Sequence, residues 1–140
     1  MKSLNLTRNP PRSPREKLGG LLMLARTIDK LRAELPEGNL GQYKFEGYSS
    51  RLLESLAIDP DALRAVVAES ADEATVVAWV HAHSDVSRYD AINDGLTKPR
   101  IADQSDSPDF FERYPVAKDL PPETTLLEVL EYDDCAMFLQ

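Results

Sequence analysis

Prolines divide this chain into short segments. Three of these prolines directly follow a residue that can cap a helix. These pairs are Ser13-Pro14, Asp59-Pro60 and Ser107-Pro108. A cap residue followed by proline is typical of the first helical turn, where the N–H that proline lacks would have no partner within the helix. Because further prolines and glycines follow soon after each start, the sequence predicts several short helices.

Hydrophobic spacing supports this prediction. The run after Ser13-Pro14 is apolar at helical spacing, at Leu18, Leu21, Leu22, Ala25, Ile28, Leu31 and Leu35. Shorter runs of the same kind follow along the rest of the chain. We therefore predict an all-α fold of six or seven short helices. Residues 1–12 are expected to form an extended N-terminal arm and residues 13–140 a single compact helical domain, with residues 98–107 as a polar connector inside it.

Three local structures stay open on the sequence alone. Gly19-Gly20 lies either inside the first long helix or just before it, since each glycine costs a helix interior about 1 kcal/mol relative to alanine. Residues 42–46, where two aromatic residues alternate, form one minor strand or an ordered loop. Residues 124–132 form a helix or a terminal strand.

Serines mark two further helix starts. Ser49 or Ser50 precedes a short apolar run and is expected to cap it. Ser70 lies three residues before Glu73, which is the spacing of a capping box. We expect both positions to begin helices.

Composition and the single cysteine exclude several classes of protein. The chain is 42% hydrophobic, which is enough to fill a core, yet no stretch approaches the ~18 apolar residues of a membrane span. Cys135 cannot form an intrachain disulfide, and the polar, proline-rich residues 7–14 stand where a secretory signal would need an apolar segment. We therefore predict a soluble, acidic, cytoplasmic protein without a membrane partner.

Charge is distributed unevenly along the chain. The formal net charge is −8, but residues 1–32 carry eight basic and two acidic residues, whereas residues 33–140 carry eight basic and 22 acidic residues. Such asymmetry is typical of an anion-binding segment on an acidic body. The alternative is that the basic segment packs against the acidic remainder of the same chain.

A candidate anion site lies within the basic segment. If the main helix begins after the glycine pair, its first N–H groups and the nearby basic side chains can hold a phosphate or carboxylate. Arg26 and Lys30, four residues apart, would extend the basic surface, and Tyr43 is a candidate proton donor. The full set of candidate residues is Arg12, Arg15, Lys17, Gly19, Gly20, Arg26, Lys30 and Tyr43.

Other chemistry finds little support. His81 and His83 are two residues apart and point to different faces of a helix, so no metal site is predicted. No nucleophile elbow of the Gly-x-Ser-x-Gly type is present. Glu131, Asp133 and Asp134 could form an acidic metal or acid–base cluster, but we interpret this run of charges as a solvated face. Because the body of the chain is acidic, nucleic acid is not an expected partner.

The N-terminal residues also carry a family resemblance. The stretch from Leu4 to Gly20, LNLTRNPPRSPREKLGG, resembles the opening of a bacterial family known only as domain of unknown function 5069. The resemblance continues through Leu24 to Ala33, Gly41-Gln42-Tyr43, Leu56 to Asp59 and Trp79-Val80, and becomes looser after residue 98. It implies a small single domain and supplies no reaction, ligand or catalytic residue.

We expect this protein to act by binding rather than by catalysis. The favoured hypothesis is a protein-interaction or self-associating module that uses the N-terminal arm or the surface around Tyr43 and Phe45. The alternative is a protein, or an enzyme, that binds a small anionic metabolite through Arg12, Arg15 and Arg26. Neither hypothesis requires a cofactor. A pocket into which the arginines converge would favour the alternative, and a flat apolar patch would favour the module.

Overall fold

A computed structural model of the protein describes residues 1–138 and contains, within them, seven α-helices and no β-strand. The helices are α1 (Leu24–Ala33), α2 (Tyr48–Leu56), α3 (Pro60–Glu69), α4 (Glu73–Ala82), α5 (Tyr89–Thr97), α6 (Pro108–Arg113) and α7 (Leu126–Phe138). Short 3₁₀ segments span Val86–Arg88, Ile101–Gln104 and Pro115–Asp119. The predicted all-α fold is confirmed. None of the helices in residues 1–138 has the length and apolar character needed to cross a lipid bilayer.

Helix α1 occupies the centre of the fold. Every residue of α1 except Arg32 is buried, and the helix packs against both α2 and α3. Burial on all sides places the charged residues Arg26, Asp29 and Lys30 inside the protein. The prediction that Arg26 and Lys30 extend a basic surface is therefore wrong. A buried charged group needs a partner of opposite charge or a change of protonation state. The three charged residues of α1 therefore each need one of these at the centre of the molecule.

The other helices pack around α1 and against one another. α2 packs against α5, α3 against α4, and α5 against α7. One hydrophobic cluster extends from Leu21, just before α1, to Leu130 in α7. A smaller cluster joins Val129 of α7 to Ala117 in the last 3₁₀ segment. The last helix therefore completes a core that the first helix begins.

The structure decides the three points that the sequence left open. Gly19-Gly20 lies before α1, in a turn where the two φ angles are 59° and 86°. These left-handed conformations favour glycine, because a Cβ atom would be strained there. Residues 42–46 form an ordered loop, and residues 124–132 enter helix α7 at Leu126. The connector at 98–107 contains the 3₁₀ segment Ile101–Gln104.

The proline starts have different outcomes. Asp59 caps α3, because its side chain accepts a hydrogen bond from the N–H of Asp61. α6 begins at Pro108, although Ser107 makes no side-chain cap bond. At Ser13-Pro14 the chain forms turns, and α1 begins at Leu24, so of the two starts that the sequence left open the one after the glycine pair is correct.

Helices are present at both serine positions, but neither helix is capped by the predicted serine. α2 begins at Tyr48, and the hydroxyl of Ser49 is buried, where it accepts a hydrogen bond of 3.0 Å from Thr27. Asp72 caps α4 by accepting a hydrogen bond of 2.9 Å from the N–H of Thr75. A serine in a buried helix start can satisfy a neighbouring side chain instead of the backbone, and an aspartate two residues later caps a helix equally well.

Residues 1–12 run along the body of the protein. The N–H of Leu4 donates to the carbonyl of Arg32, and the N–H of Leu6 donates to the carbonyl of Asn39 at 2.8 Å. Leu6 is buried against Ala33 and Tyr43. The basic arm is therefore held by the end of α1 and the residues that follow it.

Candidate functional site

A cavity of about 380 Å³ lies beside the second half of α1. Its walls come from α1, the loop at 42–44, the segment around 112–115 and helix α7. The lining residues are Arg26, Lys30, Gln42, Tyr43, Lys44, Glu112, Arg113, Tyr114, Pro115, Leu130, Asp133 and Met137. Small-molecule sites commonly measure roughly 300–1,000 Å³, so this cavity is large enough for a compound of a few carbon atoms.

Lys30 is the most unusual residue of the cavity. The side chain is buried, with the residue only 7% exposed, and its amine has no hydrogen-bond or ion-pair partner within residues 1–138. Burial, with the nearby positive charges of Arg26 and Arg113, lowers the pKa of Lys30 from 10.5 to about 7. Asp134 and Glu46 oppose this shift only in part. Near neutral pH the amine is therefore divided between its charged and neutral forms.

Arg26 and Asp134 form a buried ion pair at the back of the cavity. Two guanidinium nitrogens of Arg26 donate to the two carboxylate oxygens of Asp134, at 2.7 and 2.9 Å. The hydroxyl of Tyr43 donates to the same carboxylate at 2.8 Å. Burial and this hydrogen bond raise the pKa of Tyr43. The phenol therefore stays protonated, and Arg26 is occupied by an internal partner.

Arg26 lies close to both Lys30 and Tyr43. Arg26 and Lys30 are four residues apart on α1, so their side chains lie on one face. The guanidinium of Arg26 lies 5.5 Å from the centre of the Tyr43 ring. Its Nε–H is buried without a partner in residues 1–138. The structure thus leaves one unused donor on Arg26 beside the unpartnered amine of Lys30.

Arg113 and Lys44 supply positive charge at the edge of the cavity. Both side chains are exposed, and Arg113 makes no ion pair within residues 1–138. One guanidinium nitrogen of Arg113 donates to the carbonyl of Glu46 at 2.8 Å. This bond positions the side chain and leaves its other donors free, so Arg113 can bind a carboxylate in two-point fashion.

Acidic and phenolic groups complete the lining. Burial, with the neighbouring charge of Asp134, raises the pKa of Asp133. Burial likewise raises the pKa of Tyr114. Both groups therefore favour their protonated forms more than they would in water, and they lie in the same cavity as Lys30.

A second, more open groove of about 610 Å³ adjoins the cavity and shares Arg113 and Tyr114 with it. The hydroxyl of Tyr48 is buried there without a partner in residues 1–138, and burial raises its pKa to about 12. Most of the other lining residues belong to the exposed segment 104–110. The smaller cavity concentrates more charged groups that are removed from water, so it is the stronger candidate.

The structure brings together three of the eight predicted site residues. Arg26, Lys30 and Tyr43 line the cavity. Arg12 instead forms ion pairs with Asp29 of α1 and Glu73 of α4.

The remaining basic candidates lie outside the cavity. Arg15 pairs with Glu131 at 2.6 Å, and Lys17 is exposed. Together with Arg12 and Arg26, Arg15 therefore binds acidic groups of its own chain, which is the alternative that the charge asymmetry left open.

Both carbonyls of the glycine pair accept hydrogen bonds from side chains of the protein. Gly19 lies against Val77, and its carbonyl accepts a hydrogen bond of 2.8 Å from His81. The amide of Asn93 donates to the carbonyl of Gly20, and its oxygen accepts from the N–H of Leu22 at 3.0 Å. The N–H of Leu22, which follows the glycine pair and was expected to help bind an anion, is therefore already paired with Asn93.

Two important residues were not predicted. Asp134 was interpreted as part of a solvated face, and this is wrong because the residue is 7% exposed and paired with Arg26. The spacing Leu127, Leu130, Asp134 continues the buried face of α7, and this was the signal available. Arg113 carried no such signal, since it is the last residue of the short helix α6 and its place at the cavity depends on how that helix packs.

Taken together, the observations describe a small helical protein with a partly desolvated cavity that is lined by several cationic side chains. The model of the family described as domain of unknown function DUF5069 matches residues 8–135, and the chain belongs to this family. No curated protein matches the chain.

Proposed function

We propose that this protein binds a small organic anion, of the carboxylate class, in the cavity beside α1. The observation that carries the proposal is Lys30, a buried residue that lines this cavity and whose amine has no acceptor in residues 1–138. A carboxylate would provide that acceptor. It would also accept hydrogen bonds from the free donors of Arg113.

The balance of charge supports an anionic ligand. The lining contains four basic residues, Arg26, Lys30, Lys44 and Arg113, and two acidic residues, Glu112 and Asp133. Asp134 already neutralises Arg26, which leaves Lys30, Lys44 and Arg113 against Glu112 and Asp133. A surplus of positive charge therefore remains in a cavity partly removed from water, where electrostatic attraction is stronger than at the open surface.

The apolar surface gives less support to the favoured hypothesis of a protein-interaction module. Within residues 1–138, the exposed large hydrophobic side chains are Val86 and Tyr132. Docking sites for proteins usually present a contiguous apolar patch of a few hundred Å² or more. The single Cys135, exposed and unpaired, suits a reducing cytoplasm, and we place the protein there.

Titration by NMR tests the proposal. Lactate added to the ¹⁵N-labelled protein should shift the backbone amides of Lys30, Tyr43 and Asp133 with a single saturable isotherm. Arg113→Met should weaken the affinity by roughly tenfold or more, since a charge-assisted hydrogen bond is worth about 1.5–3 kcal/mol. Arg15→Met is the matched control and should leave the affinity unchanged, because Arg15 pairs with Glu131 outside the cavity.

Two results would overturn the proposal. One is the absence of saturable shifts around the cavity with lactate, acetate and inorganic phosphate at millimolar concentration. The other is an equal loss of affinity in the Arg113 and Arg15 variants, which would indicate general attraction of anions to a basic surface.

A further inference from the structure

We propose that Lys30 forms an imine with the carbonyl group of a small 2-oxo acid whose carboxylate is bound by Arg113. This inference rests on the proposed function and specifies the class of its ligand. Both groups line the same cavity, one as a buried amine and the other as an exposed cation.

The surroundings of Lys30 suit a nucleophile better than an anchor. An anchoring lysine is usually paired with a carboxylate, whereas Lys30 has no ion pair or hydrogen bond in residues 1–138. Arg26 and Arg113 line the same cavity, and their positive charges disfavour a charged amine on Lys30. Burial beside other cations favours the neutral amine, and only the neutral amine has the lone pair that attacks a carbonyl carbon. The lowered pKa of about 7 agrees with this geometry.

The negative groups near Lys30 do not reverse this preference. Asp134 is engaged by Arg26 and Tyr43. Glu46 offers its backbone carbonyl to Arg113, and its side chain is exposed. The cavity thus holds an amine that is both accessible to a small molecule and only weakly stabilised as an ammonium.

The reaction balances without an external oxidant or reductant. The nitrogen lone pair of Lys30 attacks the carbonyl carbon, a C–N bond forms, and a proton moves from nitrogen to the former carbonyl oxygen. The C–O bond then breaks as the nitrogen lone pair forms the C=N bond, and the hydroxyl group takes a proton from an acid and leaves as water. The product is a protonated imine on Lys30.

Asp133 is placed to act as that acid. It lines the same cavity, and partial burial beside Asp134 raises its pKa, so it retains a proton more readily than an exposed aspartate. Once deprotonated, it leaves a negative charge near the positive imine. The cavity therefore compensates for the new cation that the reaction creates.

We choose a 2-oxo acid because Lys30 and Arg113 would bind different groups of the ligand, the carbonyl and the carboxylate. A simple aldehyde would use Lys30 and leave Arg113 free, whereas a simple carboxylate would use Arg113 and leave Lys30 unreacted. A compound with both groups uses both residues, and the volume of about 380 Å³ limits it to a small acid.

Reductive trapping tests the imine. The full chain is incubated with pyruvate and sodium cyanoborohydride, and intact mass followed by peptide mapping locates any N-carboxyethyl group. We expect one adduct, on Lys30, formed faster than on the other lysines. Excess lactate, which carries the carboxylate without the carbonyl, should suppress it, and acetone, which carries the carbonyl without the carboxylate, should label Lys30 poorly.

Matched variants complete the experiment. Lys30→Arg should abolish the adduct, whereas Lys17→Arg should retain it, because Lys17 is an exposed lysine outside the cavity. The comparison among lysines within the wild-type protein keeps the test valid if the Lys30 variant fails to fold. Uniform labelling of all lysines, or no adduct on Lys30, would overturn the imine.

The two proposals fail in different ways. Saturable NMR shifts with lactate and pyruvate, without a trapped adduct on Lys30, would refute the imine and leave anion binding intact. The absence of both shifts and adduct would refute the proposed function together with the inference built on it.

Discussion

Arg26 and Asp134, 108 residues apart in sequence, form two hydrogen bonds across the interface between α1 and α7. Both side chains are almost completely removed from water, at 2% and 9% exposure. The pair therefore connects the first and last helices of the fold through a charge interaction and not only through apolar packing. Tyr43 adds a third hydrogen bond, so the loop at 42–46 is joined to the same carboxylate.

Arg26→Met should strongly destabilise the protein, because it leaves Asp134 buried without its counter-charge. Breaking a buried ion pair by removing one partner costs roughly 3–5 kcal/mol. We expect the free energy of unfolding, measured in urea, to fall by that amount. The double variant Arg26→Met with Asp134→Leu removes both charges and should recover much of the loss. A double variant less stable than the single one would contradict this account.

Tyr43→Phe should have a smaller effect. It removes one of the three hydrogen bonds to Asp134 and leaves the two from Arg26 in place. A hydrogen bond to a charged group contributes roughly 1.5–3 kcal/mol, and we expect a loss of stability in this range. Tyr132→Phe is the control, because Tyr132 is 49% exposed. Equal urea midpoints for the two variants would argue against the buried hydrogen bond.

Lys30→Met should stabilise the protein in a pH-dependent manner. Below pH 7 the lysine is charged in both the folded and unfolded chain, and the folded state carries the full cost of burying the ammonium. Between the folded pKa of about 7 and the ordinary value of 10.5, only the unfolded chain holds the proton, so the wild type gains stability as pH rises. This gain is about 1.4 kcal/mol per pH unit at most.

The advantage of Lys30→Met over the wild type should therefore be greatest at pH 6 and shrink steadily above pH 7. Urea unfolding at a series of pH values measures it. Lys17→Met, at an exposed lysine, should show a difference from the wild type that does not change with pH over this range. If the difference in free energy of unfolding between Lys30→Met and the wild type does not change with pH, the pKa of Lys30 is not lowered by folding.

Gly19→Ala and Gly95→Ala should change stability in opposite directions. At Gly19, φ is 59°, and an added Cβ would lie 2.8 Å from a methyl carbon of Val77 and 3.0 Å from His81, so we expect a loss of about 1–3 kcal/mol. Gly95 lies within α5, and a Cβ there meets no atom within 4 Å. Alanine at this position should add roughly 0.5–1 kcal/mol. Thermal unfolding of the two variants distinguishes the effects, and a destabilised Gly95 variant would disagree with the helical geometry.

Local signals in the sequence were sufficient for the class of fold. Apolar spacing and the Asp59-Pro60 and Ser107-Pro108 pairs marked real helices, because each depends on neighbouring residues alone. The start at Ser13-Pro14 was misleading for a tertiary reason. Ser13 donates to Glu131 of α7 at 2.7 Å, and Gly19-Gly20 turns the chain so that it enters α1 ten residues later than the capping pattern indicates.

The candidate site was only partly predictable for a similar reason. Arg26, Lys30 and Tyr43 were recognised by residue type, but nothing local shows that α1 is buried on every side. Arg12 and Arg15 are equivalent to Arg26 by residue type, but they lie outside the cavity. Arg12 pairs with Asp29 and Glu73, and Arg15 pairs with Glu131. Such pairings depend on contacts between distant segments, which a basic cluster in the sequence does not reveal.

The span from α1 to α7 has a consequence for how the protein becomes functional during synthesis. Chains emerge from the ribosome N-terminus first, so α1 leaves the ribosome well before α7 is synthesised. Until α7 has emerged, Arg26 has no Asp134 to pair with, and Lys30 has only part of its enclosure. The cavity is complete only when α7 docks, so the proposed anion binding requires the last helix to be in place.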